Sequence, residues 1–262
     1  MSDLVATRIA GGVAHVTLNR PAKRNALNRA TITAMIAALR ECKSNPAVRV
    51  VQITGAGTTF CAGADLDEMQ AQAEAPESAN LADARQLAAL LAELEFLPKP
   101  TLARVNGDGY GGALGVLGAC DIVVAADHAK FAFTEVRLGI IPAVISPFVL
   151  AKIGERAARR YFLTAEMLSA ATLREIGLAH QVVPTGMLDA ACLGVTDSLM
   201  QAAPGALAEA KALIRDVSAL MGRDKAATSR DMGERLALLR IQAEAQEGFS
   251  AFFAKRKASW QP

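Results

Sequence analysis

The sequence has few of the residues that usually build metal centres and disulfide frameworks. Its 262 residues include three histidines and four cysteines, and no two cysteines form a Cys-x-x-Cys pair. The histidines are also too far apart in the sequence for a His-based zinc motif. We therefore expect no metal site, and we expect reduced, mostly buried thiols rather than disulfides.

A strong charge excess and a long apolar run are absent as well. Lys and Arg number 28 against 26 Asp and Glu, and so small a difference predicts no nucleic-acid partner and no membrane-surface partner. No apolar run has the length of a membrane span, and residues 1–12 resemble neither a signal peptide nor a transit peptide. Because 52% of the residues are hydrophobic, the chain can bury a large core. We expect a soluble, cytoplasmic, globular protein.

The hydrophobic pattern alternates between strand and helix periods over the first two hundred residues. Strands are predicted over 13–20, 48–55, 100–107 and 121–127, and helices over 28–45, 81–97 and about 111–119. This alternation is typical of an α/β protein. Residues 70–80 are rich in Ala, Gln and Glu and predict a mobile surface loop or frayed helix. We divide the chain into a core over 1–200 and a helical segment over 201–262 that docks on the core or on a neighbouring subunit.

The glycine-rich stretch "NGDGYGGALG" (106–115) allows three interpretations. Gly107, Gly109 and Gly112 spell G-x-G-x-x-G, and Asp127 follows about 20 residues later, as in a dinucleotide-binding fingerprint. That fingerprint normally lies in the first strand–helix–strand unit, whereas two strands and two helices precede this one. The stretch could equally be a tight turn. Alternatively, Gly111 and Gly112 begin a short helix whose first amides are free to bind an anionic group.

Two further stretches carry candidate chemistry. In "FCAGADLDEM" (60–69), amides at a helix start could stabilise a developing negative charge, or the acidic residues could only complement the helix dipole. Glu135 lies in a largely apolar segment, where partial desolvation suits a carboxyl group that moves protons. It could instead pair with Arg137 or with water. Taken together, two amide-bearing helix starts and one carboxylate form a site able to stabilise and protonate a thioester enolate.

Four stretches occur in the order and spacing of one known family. They are "LNRPAKRNAL" (18–27), "TTFCAGADLDEM" (58–69), "VNGDGYGGALGVLGACDIVVAADHAKFAFTEVRLGIIP" (105–142) and "EGFSAFFAKRK" (247–257). The chain thereby resembles the enoyl-CoA hydratase/isomerase (crotonase) superfamily. The resemblance implies an α/β, crotonase-like superhelix of strand–strand–helix repeats with a helical C-terminal region that mediates oligomerisation and covers the active site. It also implies a homotrimer or a dimer of trimers. The implied partner is an acyl-CoA thioester substrate, with no separate cofactor.

The resemblance assigns roles to individual residues. The amides of Ala64 and Gly112 would form the oxyanion hole, and Glu135 would protonate Cα. The residues implied to bind substrate or CoA are Lys23, Arg24, Ala26, Ala62, Asp65, Leu66, Gly111, Gly115, Arg137 and Lys257. Lys257 would reach the CoA phosphates, across a subunit boundary in some arrangements. A lysine that is only solvated stays open for Lys23 and Lys257.

One position departs from the family pattern. Typical hydratases of the family use two glutamates around one water; the second aligns with Glu135, and the first aligns with Gly115. One carboxyl group is enough to shift a double bond, whereas hydration usually needs a second group to orient water. The sequence therefore leaves three functions open: an enoyl-CoA hydratase, a Δ3,Δ2-enoyl-CoA isomerase and a non-catalytic acyl-CoA-binding protein.

Among hydratases, "GGALG" with "TEVRLGIIPAVISPFVL" is most similar to those of branched glutaconyl substrates, 3-methylglutaconyl-CoA or isohexenylglutaconyl-CoA. On that hypothesis Gly115 leaves room for the branch. Arg137 would position the distal carboxylate, which would help to orient the water.

Overall fold

The fold is described by a computed structural model that covers residues 4–220 and 224–262. Its strands are β1 (Val5–Ala10), β2 (Val13–Leu18), β3 (Val50–Gly55), β4 (Thr101–Val105), β5 (Gly109–Tyr110), β6 (Ile122–Ala126), β7 (Lys130–Ala132), β8 (Leu168–Ser169) and β9 (Gln181–Val183). Its helices are α1 (Arg29–Ser44), α2 (Leu66–Ala73), α3 (Glu77–Glu95), α4 (Gly112–Ala119), α5 (Ser146–Thr164), α6 (Ala170–Glu175), α7 (Leu188–Gln201), α8 (Pro204–Ala219), α9 (Lys225–Arg240) and α10 (Ala243–Phe253).

The strands form two sheets. The larger has the order β1-β2-β3-β4-β6-β9, and every neighbouring pair except β1–β2 is parallel. The smaller has the order β5-β7-β8. The order strand, strand, helix recurs along the chain as β1-β2-α1, β4-β5-α4 and β6-β7-α5. The predicted α/β architecture is therefore confirmed.

Helix α1 shows how the local sequence sets the element boundaries. The side chain of Asn28 accepts a hydrogen bond from the Thr31 amide at 2.8 Å, so the predicted N-cap is present. The helix ends before the Asn45-Pro46 pair. Its buried face, which includes Met35 and Leu39, packs against α3. This packing fixes α3 beside the candidate site.

Two expectations about local structure were wrong or incomplete. Residues 70–80 are mostly helical, since α2 runs to Ala73 and α3 begins at Glu77. The polar side chains stabilise the junction between the two helices: the Asn80 side chain donates to the carbonyl oxygens of Gln72 and Ala75. Strand β1 was not predicted. It pairs with β2 through a Gly11-Gly12 turn, and both glycines have positive φ, as a tight hairpin turn requires.

Parallel pairing brings the two chemistry-bearing loops together. Strands β3 and β4 are parallel neighbours, so the loops that follow them leave from the same end of the strands, the carboxyl end. An isolated bridge between Cys61 and Gly109 joins these loops directly. The sheet therefore places the start of α2 beside the start of α4.

The C-terminal helices attach at the opposite end of the strands. Arg49, which precedes β3, donates to the carbonyl oxygens of Trp260 at 2.5 Å and Ala202 at 2.6 Å. Lys211 of α8 pairs with Asp121 at 2.8 Å. Within the described residues, no helix is long and apolar enough to cross a bilayer. All four cysteines are buried and free, as expected.

Candidate active site

The amide of Ala64 is available to a ligand because of the way its neighbours pair. The Leu27 amide donates to the Gly63 carbonyl at 2.7 Å, and the Asp65 amide donates to the Leu27 carbonyl at 3.1 Å. In such a parallel bridge the residue between the two bonds directs its own N–H to the other side. No acceptor for the Ala64 amide exists within 4–220 and 224–262. The amide of this residue is thus held in place and left unpaired.

The second amide belongs to Gly112, the first residue of α4. A first-turn N–H has no partner inside its helix and points out of the N-terminal end. The described part of the chain offers it no other acceptor. The Gly111 amide differs from the expectation, because it donates to the Ala132 carbonyl at 3.0 Å. Only Gly112 of this pair therefore has a free amide.

Glu135 begins a short 3₁₀ helix, 135–138, after β7. Its Oε2 atom is buried and has no hydrogen-bond partner among the described residues. Burial raises the pKa of the Glu135 carboxyl above its ordinary value, although a backbone hydrogen bond opposes the shift. No ion pair joins Glu135 to Arg137 within the described ranges, so the alternative of a glutamate paired with Arg137 is wrong. The side chain is only partly buried, and the alternative of a glutamate that faces water stays open.

The backbone of Gly111 lies directly against the carboxyl group of Glu135. Its φ is +49°, and a Cβ at this position would lie 3.3 Å from Glu135 Oε1. A side chain here would be strained by the backbone conformation and would crowd the carboxylate. Gly111 therefore serves the site through close approach and not through its amide.

The two free amides and Glu135 open onto one cavity of about 330 Å³. Its remaining walls come mainly from α2, α3 and the segment 140–145. They are formed by Leu27, Ile32, Asp65, Glu68, Met69, Gln72, Asp83, Ala84, Leu87, Ile140, Ile141, Pro142, Ala143, Val144 and Ile145. This mostly apolar cavity with a few convergent polar groups has the character of a small-molecule site.

A second cavity of about 260 Å³ adjoins the first and shares Ala64 and Asp65 with it. It is lined by Ala22, Lys23, Arg24, Ala26, Ala62, Leu66 and Asp67 together with those two residues. The sequence-predicted residues of segments 23–26 and 62–66 thus lie together in space. Lys23 is exposed and pairs with Asp67 at 2.8 Å. That hydrogen bond raises the pKa of Lys23.

A buried ion pair holds the loops of both cavities. Arg20 Nη2 lies 2.8 Å from Asp65 Oδ2, and these side chains are 14% and 4% exposed. Burial alone would raise the pKa of Asp65, but hydrogen bonds from Arg20 and from backbone amides lower it below its ordinary value. Asn25, also buried, donates to the carbonyl oxygens of Ala56 and Thr59. Asp65 therefore acts here as a positioned structural group whose backbone faces the cavities.

Comparison with known proteins decides the family. The enoyl-CoA hydratase/isomerase family model matches residues 8–262. The chain belongs to the enoyl-CoA hydratase/isomerase family. It is 34% identical over 257 residues to the 2,3-dehydroadipyl-CoA hydratase of Escherichia coli, covering 98% of this chain and 97% of that protein. It is 33% identical to the hydroxycinnamoyl-CoA hydratase-lyase of Pseudomonas fluorescens over 79% of this chain and 76% of that one.

A solved structure shows the same fold. A Shewanella pealeana enoyl-CoA hydratase superposes with a TM-score of 0.93 at 40% identity, covering 98% of this chain and 96% of that one. The predicted crotonase-like fold with a helical C-terminal region is confirmed. The predicted enzyme class, a lyase of the enoyl-CoA hydratase type, is the class of these relatives.

Family membership removes the dinucleotide interpretation of the glycine stretch, and the structure gives its glycines other reasons. A Cβ at Gly107 would lie 1.9 Å from the Thr58 carbonyl oxygen, and one at Gly109 would lie 3.1 Å from the Phe131 ring. These glycines allow two backbone loops and an aromatic ring to approach closely. Gly112 alone of the three contributes to the cavity.

Three predicted substrate residues of this family member lie elsewhere than expected. The space beside Gly115 is filled, since a Cβ there would lie 2.4 Å from Ile145 Cγ2 and 3.1 Å from Leu91 Cδ1. Gly115 therefore leaves no room for a substrate branch. Arg137 is exposed and does not line the cavity. Lys257 donates to the Pro262 carbonyl at 2.5 Å, in the segment that packs at the far end of the strands.

Several cavity residues were not predicted. Asp83, Leu87 and Ile145 line the site, and two of them share one face of α3 at a spacing of four residues. That spacing was visible in the sequence as part of an amphipathic helix. Which neighbour the face covers was not visible, because it depends on the packing of α3 against α4.

Proposed function

We propose that this enzyme adds water across the 2,3 double bond of an enoyl-CoA thioester. One observation carries the proposal: the unpaired amides of Ala64 and Gly112 and the partly buried carboxyl of Glu135 line the same cavity. Fixed donors aimed at an oxygen that gains charge lower the barrier of acyl chemistry. A carboxyl group with a raised pKa keeps its proton more readily and can deliver it to a carbon that gains electrons.

The reaction follows from these groups. The thioester oxygen accepts hydrogen bonds from the amides of Ala64 and Gly112. As the water oxygen bonds to C3 and releases one proton to a base, the electron pair of the double bond moves towards the thioester and forms an enolate. Glu135 then gives its proton to C2. The raised pKa of Glu135 keeps a larger fraction of its carboxyl protonated than an exposed glutamate would have at the same pH.

We place the CoA arm in the second cavity, against segments 23–26 and 62–66. This cavity joins the first at Ala64, so a thioester on the amides would continue into it. Within its own chain Lys257 does not line this cavity and bonds to Pro262 instead, so we assign its predicted contact with CoA to a neighbouring subunit. The homotrimer or dimer of trimers that this arrangement needs stays a prediction, as does the role of residues 201–262 in assembly and cover.

The acyl group is the finer part of the proposal. A branched glutaconyl substrate fits the motif resemblance, and the Escherichia coli relative is likewise named for a dicarboxylic acyl group. Within this chain, neither Gly115 nor Arg137 supports it in the way expected. The cavity residues include no Lys, Arg or His in the described ranges. A substrate carboxylate would therefore need a cation from outside this cavity.

Replacing Glu135 by Gln tests the proposal. We expect kcat for enoyl-CoA hydration to fall by about 10²-fold or more, while KM changes little, because the amide side chain keeps the shape and loses the proton. Exchange of the Cα proton of a saturated acyl-CoA with D2O should be lost in parallel. Crotonyl-CoA, 3-methylglutaconyl-CoA and isohexenylglutaconyl-CoA form the substrate panel. Retained exchange in the variant would remove Glu135 from its role.

The isomerase is the second candidate, because position 115 carries no carboxylate. Incorporation of ¹⁸O from labelled water separates the two functions. Product that contains solvent oxygen identifies a hydratase, and a shifted double bond without it identifies an isomerase. If the protein binds acyl-CoA but turns over no ester of the panel, the remaining function is that of a non-catalytic acyl-CoA-binding protein.

A further inference from the structure

Besides Glu135, the cavity holds one more carboxylate with an oxygen free of protein partners among the described residues, and no motif indicates it. Asp83 lies in the second turn of α3, half-buried, and lines the same cavity as Glu135, Ala64 and Gly112. The Gln72 side chain of α2 donates to Asp83 Oδ2 at 2.7 Å. This bond fixes the carboxylate and leaves Oδ1 without a protein partner among the described residues.

The other carboxylates of the cavity are already engaged. Asp65 pairs with Arg20 and caps α2 by accepting from the Asp67 amide at 3.0 Å. Both carboxylate oxygens of Glu68 accept from the Arg29 amide, at 3.0 and 2.9 Å. Within the described part of the chain, only Asp83 and Glu135 therefore present the cavity with a carboxylate oxygen that no protein group occupies.

The contacts between α3 and α4 place Asp83 in front of the oxyanion hole. Leu91 covers Gly115, and Leu87 lies 3.9 Å from the Cβ position of Gly112. Because Leu87 lies beside Gly112 and Leu91 beside Gly115, the two helices run in the same direction. The turn of α3 that precedes Leu87 therefore extends beyond the N-terminal end of α4. Asp83 is on that turn, about 5–6 Å from Leu87 between Cβ atoms. The Gly112 amide points out of the same end.

We infer that Asp83 is the second catalytic carboxylate of the hydration. It accepts a hydrogen bond from the attacking water and takes up the proton that this water releases. Gln72 is a positioning residue that holds the other carboxylate oxygen. The inference rests on the proposed function, and it supplies from α3 the group that Gly115 on α4 lacks.

The step balances in atoms and charge. The water oxygen bonds to C3 and its departing proton goes to the Asp83 carboxylate, while the electron pair of the double bond moves into the thioester enolate. The enolate then takes the proton of Glu135 at C2. Asp83 ends protonated and Glu135 ends ionised, and solvent returns both to their starting states. The net change is the addition of one water molecule.

Asp83→Asn tests the inference, because asparagine keeps the size and the contact with Gln72 and loses the basic oxygen. We expect kcat for hydration to fall by about 10²-fold or more, with KM within about threefold. Exchange of the Cα proton of a saturated acyl-CoA in D2O should stay within about threefold, because it needs Glu135 and no attacking water. Asp83→Glu should recover part of the hydration. Gln72→Ala should lose less than Asp83→Asn.

Glu77→Gln is the matched control, since Glu77 is on the same helix, is exposed and does not line the cavity. It should leave both rates unchanged. Hydration by Asp83→Asn within twofold of wild type would overturn the inference, as would hydration and exchange falling together in a variant that melts at the wild-type temperature. If wild type hydrates no enoyl-CoA, the proposed function fails first, and the two failures are distinguishable.

Discussion

At the scale of single residues, the packing of neighbouring side chains, and not a ligand, excludes any residue larger than glycine at position 115. A Cβ at this buried position would overlap Ile145 Cγ2 at 2.4 Å, and Ile145 is itself only 2% exposed. We expect Gly115→Ala to lower the free energy of unfolding by about 1–3 kcal/mol, as overpacking does in tightly filled cores. Urea denaturation monitored by circular dichroism measures the loss.

Two companion variants identify the cause. Gly115→Ala combined with Ile145→Ala should cost less than the sum of the single changes, because the second change removes the overlapping methyl group. Gly194→Ala in α7 has open space around its Cβ position and should be neutral or slightly stabilising. Strict additivity of the first pair would show that Ile145 is not the constraint.

The residues of the site fall into two groups: those that a local stretch of sequence indicates, and those that only the packing of distant elements brings to the cavity. Ala64, Gly112 and Glu135 could be predicted because each lies in a local stretch that resembles the family's motifs, and the three residues line one cavity. Asp83 and Ile145 could not, since their place depends on how α3 and the 140–145 segment pack against α4. The same packing explains why Gly115 was misjudged: a missing side chain predicts space only if no neighbour fills it.

At the scale of elements, the Arg20–Asp65 pair joins the 20–27 loop to the start of α2. Asp65 has a lowered pKa in the folded protein, so its stabilisation is present above the ordinary aspartate pKa and is lost as pH falls through the lower, folded value. Asp65→Asn should destabilise by about 3 kcal/mol near pH 7, because Arg20 loses its buried partner. Urea unfolding at several pH values measures this.

The pH dependence separates the ion pair from simple packing. The stability difference between wild type and Asp65→Asn should shrink once the pH falls below the ordinary aspartate pKa of about 3.9. Asp67→Asn is the control. The Asp67 side chain is 76% exposed, so this variant should change the free energy of unfolding little at any pH. A difference that keeps its size down to acid pH would contradict the assigned charge interaction.

Elements with strong periodicity were predictable and those stabilised by side-chain hydrogen bonds were not. The strands around β3, β4 and β6 and the helix α1 follow from buried apolar runs and a capping residue. Residues 70–80 lack an apolar stripe, and their helices depend on the Asp65 cap and on the Asn80 bonds at the break. β1 is mostly exposed, so it lacks the buried apolar pattern of the other strands. Only the Gly11-Gly12 turn in the sequence indicates it.

At the scale of the whole molecule, the C-terminal helices leave large apolar side chains uncovered. Phe252 and Phe253 of α10 are 77% and 78% exposed, and Ile241 after α9 is 75% exposed. The rings of Phe252 and Phe253 lie 5.6 Å apart, and exposed apolar patches of this kind are typical of a subunit interface. The resemblance to the family implies a homotrimer or a dimer of trimers, and we predict that this assembly covers them and brings a neighbour's Lys257 towards the CoA cavity.

Phe253→Glu tests that prediction, because a buried, unpaired carboxylate at an interface disfavours association. Sedimentation velocity should give wild type three or six times the chain mass of 27.4 kDa, and it should give the variant the mass of one chain. Ile9→Glu, an exposed apolar residue on β1, should keep the assembly. A wild-type protein that sediments as one chain would contradict the predicted trimer and the cross-subunit role of Lys257 together, since within one chain Lys257 is tied to the far end of the strands.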